Sequence, residues 1–356
     1  MTQPKAYIHA IGTVVPDHDI HDSYIQWASE RLADKRERAL FSRMASRSGI
    51  AHRWSVLPRS VDGGSPVDSG GFYADGFLPT TGRRMEVYAE KAPELALAAV
   101  DALAQKVPIG GITHIVVASC TGFVAPGIDQ IIIRELGLSP AIERTMVGFM
   151  GCYAAVSALR VAHHIARSDA AARVLVVMVE LSTLHLSHKQ DIESLLAALQ
   201  FADGAAAVLV SAEPGPLALD DFFCTTLPES DELIRWTIGD EGFEMVLSGE
   251  VPGRIGAALH DDDTRQAILN GYDPDRVEWA VHPGGRSILD AVEHALGLGG
   301  NALSASRSVL ERFGNMSSAT LMFVLADLMA RPDGGQGVAI AFGPGLAAEG
   351  FRYSRR

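Results

Sequence analysis

The stretch Val147-Gly148-Phe149-Met150-Gly151-Cys152-Tyr153-Ala154-Ala155 decides how the rest of the chain is read. Small residues around one cysteine lead into an Ala-rich segment that predicts a helix over roughly residues 154–166. A thiol there stands at the positive end of the helix dipole, beside backbone N–H groups without helical partners. Both favour the thiolate and lower a thiol pKa from its free value of about 8.5. Gly151 allows a tight turn and the close approach of a substrate carbonyl. A buried structural cysteine fits the same residues equally well, because free cysteine is often buried.

Outward from this turn, apolar strands alternate with helices. Upstream, Ala6–Val15 reads as a buried strand, 21–48 as a charged amphipathic helix, and 58–82 as a Gly/Ser/Pro-rich loop. A helix over 81–106 then leads to an apolar strand over 112–119, of the kind buried in a parallel sheet. Downstream, strands are expected at 173–180 and 201–211, and Glu213-Pro-Gly-Pro216 is the best boundary. Past it the pattern repeats: a strand at 277–281, helices from Arg286 and near Met316, and a strand at 338–342. Two similar halves, 1–214 and 215–356, predict an internally duplicated α/β fold, layered α/β/α/β/α, with mostly parallel sheets. Its functional residues would lie at strand C-termini and helix N-termini.

The 356 residues carry a formal charge of −13, which argues against nucleic acid or an anionic membrane as a general partner. Cys120, Cys152 and Cys224 make no disulfide framework, so a reducing cytoplasm is expected. No apolar run approaches the ~20 residues of a membrane span, and the N-terminus lacks signal-peptide character. Arg43, Arg47 and Arg53 form a short basic stretch, either a solvated helix face or a phosphate-binding rim. His185 with His188, and His163 with His164, lack companion ligands at regular spacing, so no metal is expected.

Three polar residues occupy similar punctuation: Cys152 at a helix start, His282 after a strand and Asn315 before a helix. A thiolate, an imidazole and an amide suffice for acyl transfer onto sulfur followed by carbanion attack. His282 as a satisfied core histidine and Asn315 as a helix cap fit the pattern too.

Six segments occur in one order: GCYAA at Cys152, FADGAAA from Phe201, GFEMVLSGEVPG from Gly242, HPGG at His282, RFGNMSSA around Asn315 and AFGPGL near the end. In this ordered set, which spans residues 40 to 346, the chain resembles type III polyketide synthases, the chalcone-synthase-like enzymes of the thiolase fold. The resemblance implies a Cys152–His282–Asn315 triad, with Phe201 and Phe243 as gatekeepers between a CoA tunnel and the reaction cavity. It places Arg43 and Arg47 on CoA phosphates, with Leu40 where the family has a lysine, and Cys120, Thr121, Ser182, His185 and Ser317 on the cavity wall. It implies iterative decarboxylative condensation of malonyl-CoA onto an acyl-CoA starter, then cyclisation, with no cofactor and a homodimeric state. Cys120-Thr121-Gly122 is closer to bacterial members, which suggests aliphatic starters and alkylpyrone or alkylresorcinol products. The alternatives are a single-condensation ketoacyl-carrier-protein synthase III, against which HPGG and GNMSS argue, and a non-catalytic subunit expected to lack a triad residue. Residues 228–241 match plant members poorly and receive no assignment.

Overall fold

The computed structural model describes residues 4–60, 63–74 and 78–356, so positions 61, 62 and 75–77 of the expected loop lie outside it. The strands are β1 (Ala6–Val14), β2 (His18–Asp19), β3 (Trp54–Ser55), β4 (His114–Ser119), β5 (Glu143–Gly148), β6 (Arg173–Leu181), β7 (Asp203–Ser211), β8 (Leu217–Thr226), β9 (Ile234–Gly239), β10 (Gly242–Leu247), β11 (Glu278–Val281), β12 (Gln336–Gly343) and β13 (Ala347–Arg355). The helices are α1 (His21–Arg31), α2 (Lys35–Ala45), α3 (Thr81–Ala104), α4 (Ile128–Glu135), α5 (Ala154–Ser168), α6 (Ile192–Ala198), α7 (Val251–His260), α8 (Asp262–Leu269), α9 (Arg286–Leu296), α10 (Ser304–Phe313) and α11 (Thr320–Met329).

Nine strands form one sheet in the order β11-β12-β13-β8-β1-β7-β6-β4-β5. Its seam is the short β1–β8 pairing, Ala6 with Leu219 through Ile8 with Leu217. Outward from the seam the two sides match. On one, β1, β7 and β6 are antiparallel neighbours and β6 runs parallel to β4. On the other, β8, β13 and β12 are antiparallel neighbours and β12 runs parallel to β11. This is the duplicated layered α/β/α/β/α fold, but the sheet is mixed rather than mostly parallel. The reason is connection length: only the turn Pro344–Leu346 joins β12 to β13, and a parallel pair needs a crossover of a dozen residues or more.

Adjacent residues of a strand enter different cores, because side chains alternate across the sheet. Val116, Val176, Val208 and Ala339 pack with Ala155–Ala166 of α5 and Leu321–Leu328 of α11, the two helices of the central layer. Their neighbours Val117, Val177 and Leu209 face α3 on one outer side. Trp279, Val338 and Ile340 face α7 and α9 on the other. Burial on both faces explains the near-continuous apolar runs of β4, β6 and β7.

The single helix expected over 21–48 is two. Asp34 leaves the helical path and caps α2 by accepting from Arg36 N, as Asp commonly does. The unassigned stretch 228–241 contributes to a separate hairpin, β9–β10, which stands outside the main sheet. Asp261 caps α8, so the Asp261–Asp263 run is a helix start.

Candidate active site

The two central helices begin alike. After β5 the backbone turns through positive φ at Phe149 (58°) and Gly151 (74°), makes one tight turn over Gly151–Tyr153, and enters α5. A side chain on Gly151 would run into the ring of Pro344, so space and conformation both demand glycine there. Before α11 the chain passes positive φ at Gly314 (70°) and Ser317 (47°), then a tight turn over Ser317–Ala319. A non-glycine residue held at positive φ stores strain, and such strain clusters at working sites. One start presents Cys152, the other Asn315 and Ser317.

Asn315 is fixed on every side. Its N–H donates to Gln200 O (2.8 Å), its carbonyl accepts from Ala202 N (2.9 Å), and its Oδ1 accepts from Ser317 N (2.9 Å). Its Nδ2 donates to Gly284 O (3.2 Å), in the turn that carries His282. His282 follows β11, its N–H donating to Ile340 O (2.8 Å). The ring is 1 % exposed, and among the described residues neither Nδ1 nor Nε2 has a hydrogen-bond partner. Buried polar atoms are normally paired, so an orphaned imidazole is the exception that needs an explanation.

The electrostatics differ from the low-pKa thiolate expected at a helix start. Burial pushes the Cys152 thiol up to about 12, and the nearby Glu180 adds to this, while the polar side chains of Ser317 and Asn315 oppose it. Burial alone pulls His282 down to about 3. Taken singly, both groups are neutral at pH 7, because the helix terminus does not offset the loss of water. A charge-separated pair would escape part of that cost through mutual attraction, and would then titrate as a pair.

One cavity is lined by Cys120, Thr121, Cys152, Ser182, Phe201 and Ser317, together with Gly151, Ile234, Trp236, Met245 and Pro344. It adjoins a larger, mostly apolar cavity, and Ser182, Phe201, Trp236 and Met245 line both. His185 lines only the larger one. Cys120 Sγ accepts from Gly151 N (2.9 Å), which ties it to the Cys152 turn. Phe243 lines neither cavity. It is 3 % exposed and stacks on His185 (centroids 4.2 Å apart, 14° between planes). Met245, two residues on and thus on the same side of β10, lines both cavities.

Arg43 and Arg47 are exposed and line a groove with Leu40, Arg286 and Gln200, between α2, α6 and α9. Helix α6 divides this groove (Leu196, Leu199) from the apolar cavity (Ser194, Ala197, Ala198). Arg53 is not part of the rim. It is 2 % exposed and donates to Ala198 O (2.9 Å) and Phe201 O (2.8 Å), fixing the end of α6 and the Phe201 backbone.

Sequence reasoning missed Glu180, Trp236, Met245 and Ile234. Glu180 is fully buried behind the cavity and accepts from Cys120 N (3.0 Å), Thr121 Oγ1 (2.9 Å) and Ser318 Oγ. Burial raises its carboxyl to about 7 against those hydrogen bonds. A glutamate ending an apolar strand was a visible signal, and alternation from Phe243 would have found Met245. Trp236 and Ile234 belong to the hairpin, for which no motif existed.

Residues 1–214 match the family model of chalcone and stilbene synthases, N-terminal domain, and residues 219–354 the corresponding C-terminal domain. The chain is 35 % identical over 367 residues to an alpha-pyrone synthesis polyketide synthase-like protein, Pks18, of Mycobacterium tuberculosis, covering 98 % of this chain and 91 % of that one. It is 33 % identical over 377 residues to bisdemethoxycurcumin synthase of Oryza sativa, covering 97 % and 91 %. Among solved structures it superposes on PKS-I of the brown alga Ectocarpus siliculosus with a TM-score of 0.89 at 26 % identity, covering both chains fully. The C-terminal type III polyketide synthase domain of Steely1 from Dictyostelium gives 0.89 at 28 % identity, with 99 % of each chain covered.

Proposed function

Since the chain belongs to the chalcone and stilbene synthase family and is a type III polyketide synthase, we propose that Cys152, His282 and Asn315 carry its condensation chemistry. The observation that supports this most is the orphaned His282 ring, in a turn whose Gly284 carbonyl accepts from the Asn315 amide. In this reading the Cys152 proton passes to His282 as sulfur attacks the starter thioester, and the departing CoA thiolate takes it away. Malonyl-CoA follows. Its C–C bond breaks, CO2 leaves, and the electron pair remains as an enolate whose oxygen accepts from His282 Nε2–H and Asn315 Nδ2–H. An amide NH2 has two hydrogens, and Gly284 O takes only one. The enolate carbon then attacks the Cys152 thioester carbonyl, the C–S bond breaks to free the Cys152 thiolate, and the lengthened acyl-CoA reloads Cys152 for each further round before the chain cyclises.

The exposed Arg43, Arg47 and Arg286 supply the charge for CoA phosphates at the groove. Phe201 and Met245 would stand between groove and reaction cavity. The adjoining apolar cavity, about 80 Å3, has room for on the order of three waters at ~30 Å3 each, which favours a shorter aliphatic acyl chain over a long one. Each CH2 that enters it contributes about 0.8 kcal/mol. The α-pyrone relative makes an alkylpyrone the product class to seek first. A series of acyl-CoA starters with malonyl-CoA, read by mass spectrometry, tests this. kcat/KM should rise with chain length and then stop. A flat series, or preference for an aromatic starter, would overturn the starter class and leave the triad standing.

The partner in solution would be a second copy. β5 is an edge strand, and Met146 on it and Phe123 beside it are apolar and about half exposed (46 % and 47 %). Sedimentation at micromolar concentration should give twice 37.9 kDa, and a monomer would refute it. A reducing cytosol, where CoA thioesters and three free cysteines persist, is the matching compartment.

A further inference from the structure

The β9–β10 hairpin stands apart from the main sheet, and an isolated two-stranded hairpin is marginal on its own. Yet it supplies Ile234, Trp236 and Met245 to the cavity wall. Thr81 holds its turn, accepting from Gly242 N (2.8 Å) and donating its N–H to Asp240 O (2.7 Å), and two further links, one direct and one through a ring, tie its strands to consecutive carbonyls beyond β4. Trp236 Nε1 donates directly to Cys120 O (2.8 Å). The other passes through a ring: His185 Nε2 donates to Thr121 O (2.7 Å), while His185 Nδ1 accepts from Phe243 N (3.0 Å). Only the neutral Nε2–H tautomer satisfies both contacts, since a carbonyl must accept and a backbone N–H must donate. The ring is also gripped on its faces, stacked on Phe243 and edge-on to Trp236 (5.4 Å, 86°).

We infer that His185 is a positioning residue, a relay that pins β10 to the Thr121 carbonyl and so sets where Met245 and Trp236 stand in the cavity. This rests on the condensing function proposed above. His185 then governs starter and product selection through the hairpin, without supplying a proton to the reaction. At 8 % exposure with both nitrogens used, it has no lone pair or N–H left for substrate.

The test pairs two substitutions. His185→Leu removes both hydrogen bonds, whereas His185→Gln offers a donor and an acceptor on one planar group. His185→Leu should raise KM for the starter and lower condensation by on the order of 10- to 100-fold, because sub-ångström misplacement of the reaction partners is that costly. Its product set should broaden, with a smaller loss in malonyl-CoA decarboxylation. His185→Gln should recover most of both. Leu and Gln variants that behave alike would overturn the relay, whereas a wild type unable to decarboxylate malonyl-CoA would instead overturn the proposed function. Should His185→Leu fail to fold, Trp236→Phe, which loses only the direct bond, must shift the product set in the same direction, and an unchanged set counts against the proposal. In the wild type, 15N spectra must show the His185 ring as the Nε2–H tautomer, and a ring titrating between pH 5 and 9 would contradict it.

Discussion

Two buried histidines, His185 beside the apolar cavity and His282 in the turn tied to Asn315, differ in one respect. His185, from the first half, has both nitrogens bonded and both faces packed. His282, from the second half, has neither nitrogen bonded. Both rings are driven to about 3 by burial, so charge does not separate them. Satisfaction does. A fully bonded ring holds structure in place, while leaving a buried donor and acceptor unmade costs about 1–3 kcal/mol, a cost retained where a substrate completes the bonds.

The comparison is broken most sharply on the unsatisfied side. Cys152→Ala should abolish condensation, and activity retained by this variant would remove the triad at a stroke. Asn315→Ala should cost ~10²–10³ in malonyl-CoA decarboxylation, the usual effect of losing one oxyanion donor. Normal decarboxylation in that variant would leave the Asn315 side chain with only its bonds to Gly284 and Ser317, a scaffold role like that of His185.

On the satisfied side the effects should be smaller. Ser182→Phe, where the two cavities meet, should shorten the preferred starter by filling shared space, with acylation of a short starter kept. An unchanged starter series would place the acyl chain elsewhere. Glu180 offers the mildest probe. Its carboxyl is held up at about 7, so the folded state keeps a proton that the unfolded chain releases near 4.5. Stability is therefore fully present below about 4.5 and falls as pH rises through 7, by on the order of 3 kcal/mol. Glu180→Gln should flatten that slope in denaturant titrations at pH 5 and 8, and it should ease Cys152 ionisation by removing a neighbouring charge. Equal slopes in the two proteins would mean that Glu180 ionises freely.

Fold and site were unequally legible. Apolar runs such as Val174–Val179 announce a strand covered on both faces, and the Ala-rich stretch after Cys152 announces a central helix, so the layers could be read directly. The motif residues 120, 121, 152, 182, 201 and 317 do share one cavity. β8 was missed because half of it is polar and only partly buried, and the hairpin because its outward positions are exposed. Met245 was missed since it and Phe243 face the same side of a strand, and only packing tells which of them borders empty space. The thiol's shift ran opposite to expectation because a helix start is visible in sequence, whereas the desolvation that outweighs it belongs to the assembled core.

The central claim is that the orphaned imidazole and the Cys152 thiol act as one unit, and alkylation of Cys152 across pH measures this directly. With iodoacetamide, wild-type protein should be labelled at Cys152 with a shallow pH dependence from 6 to 9, since His282 takes the proton. In His282→Ala the isolated thiol, held near 12 by burial, should react at least about tenfold more slowly at pH 7 and gain roughly tenfold per pH unit. Superimposable profiles for the two proteins would show that His282 does not serve Cys152, and would contradict the account at its centre.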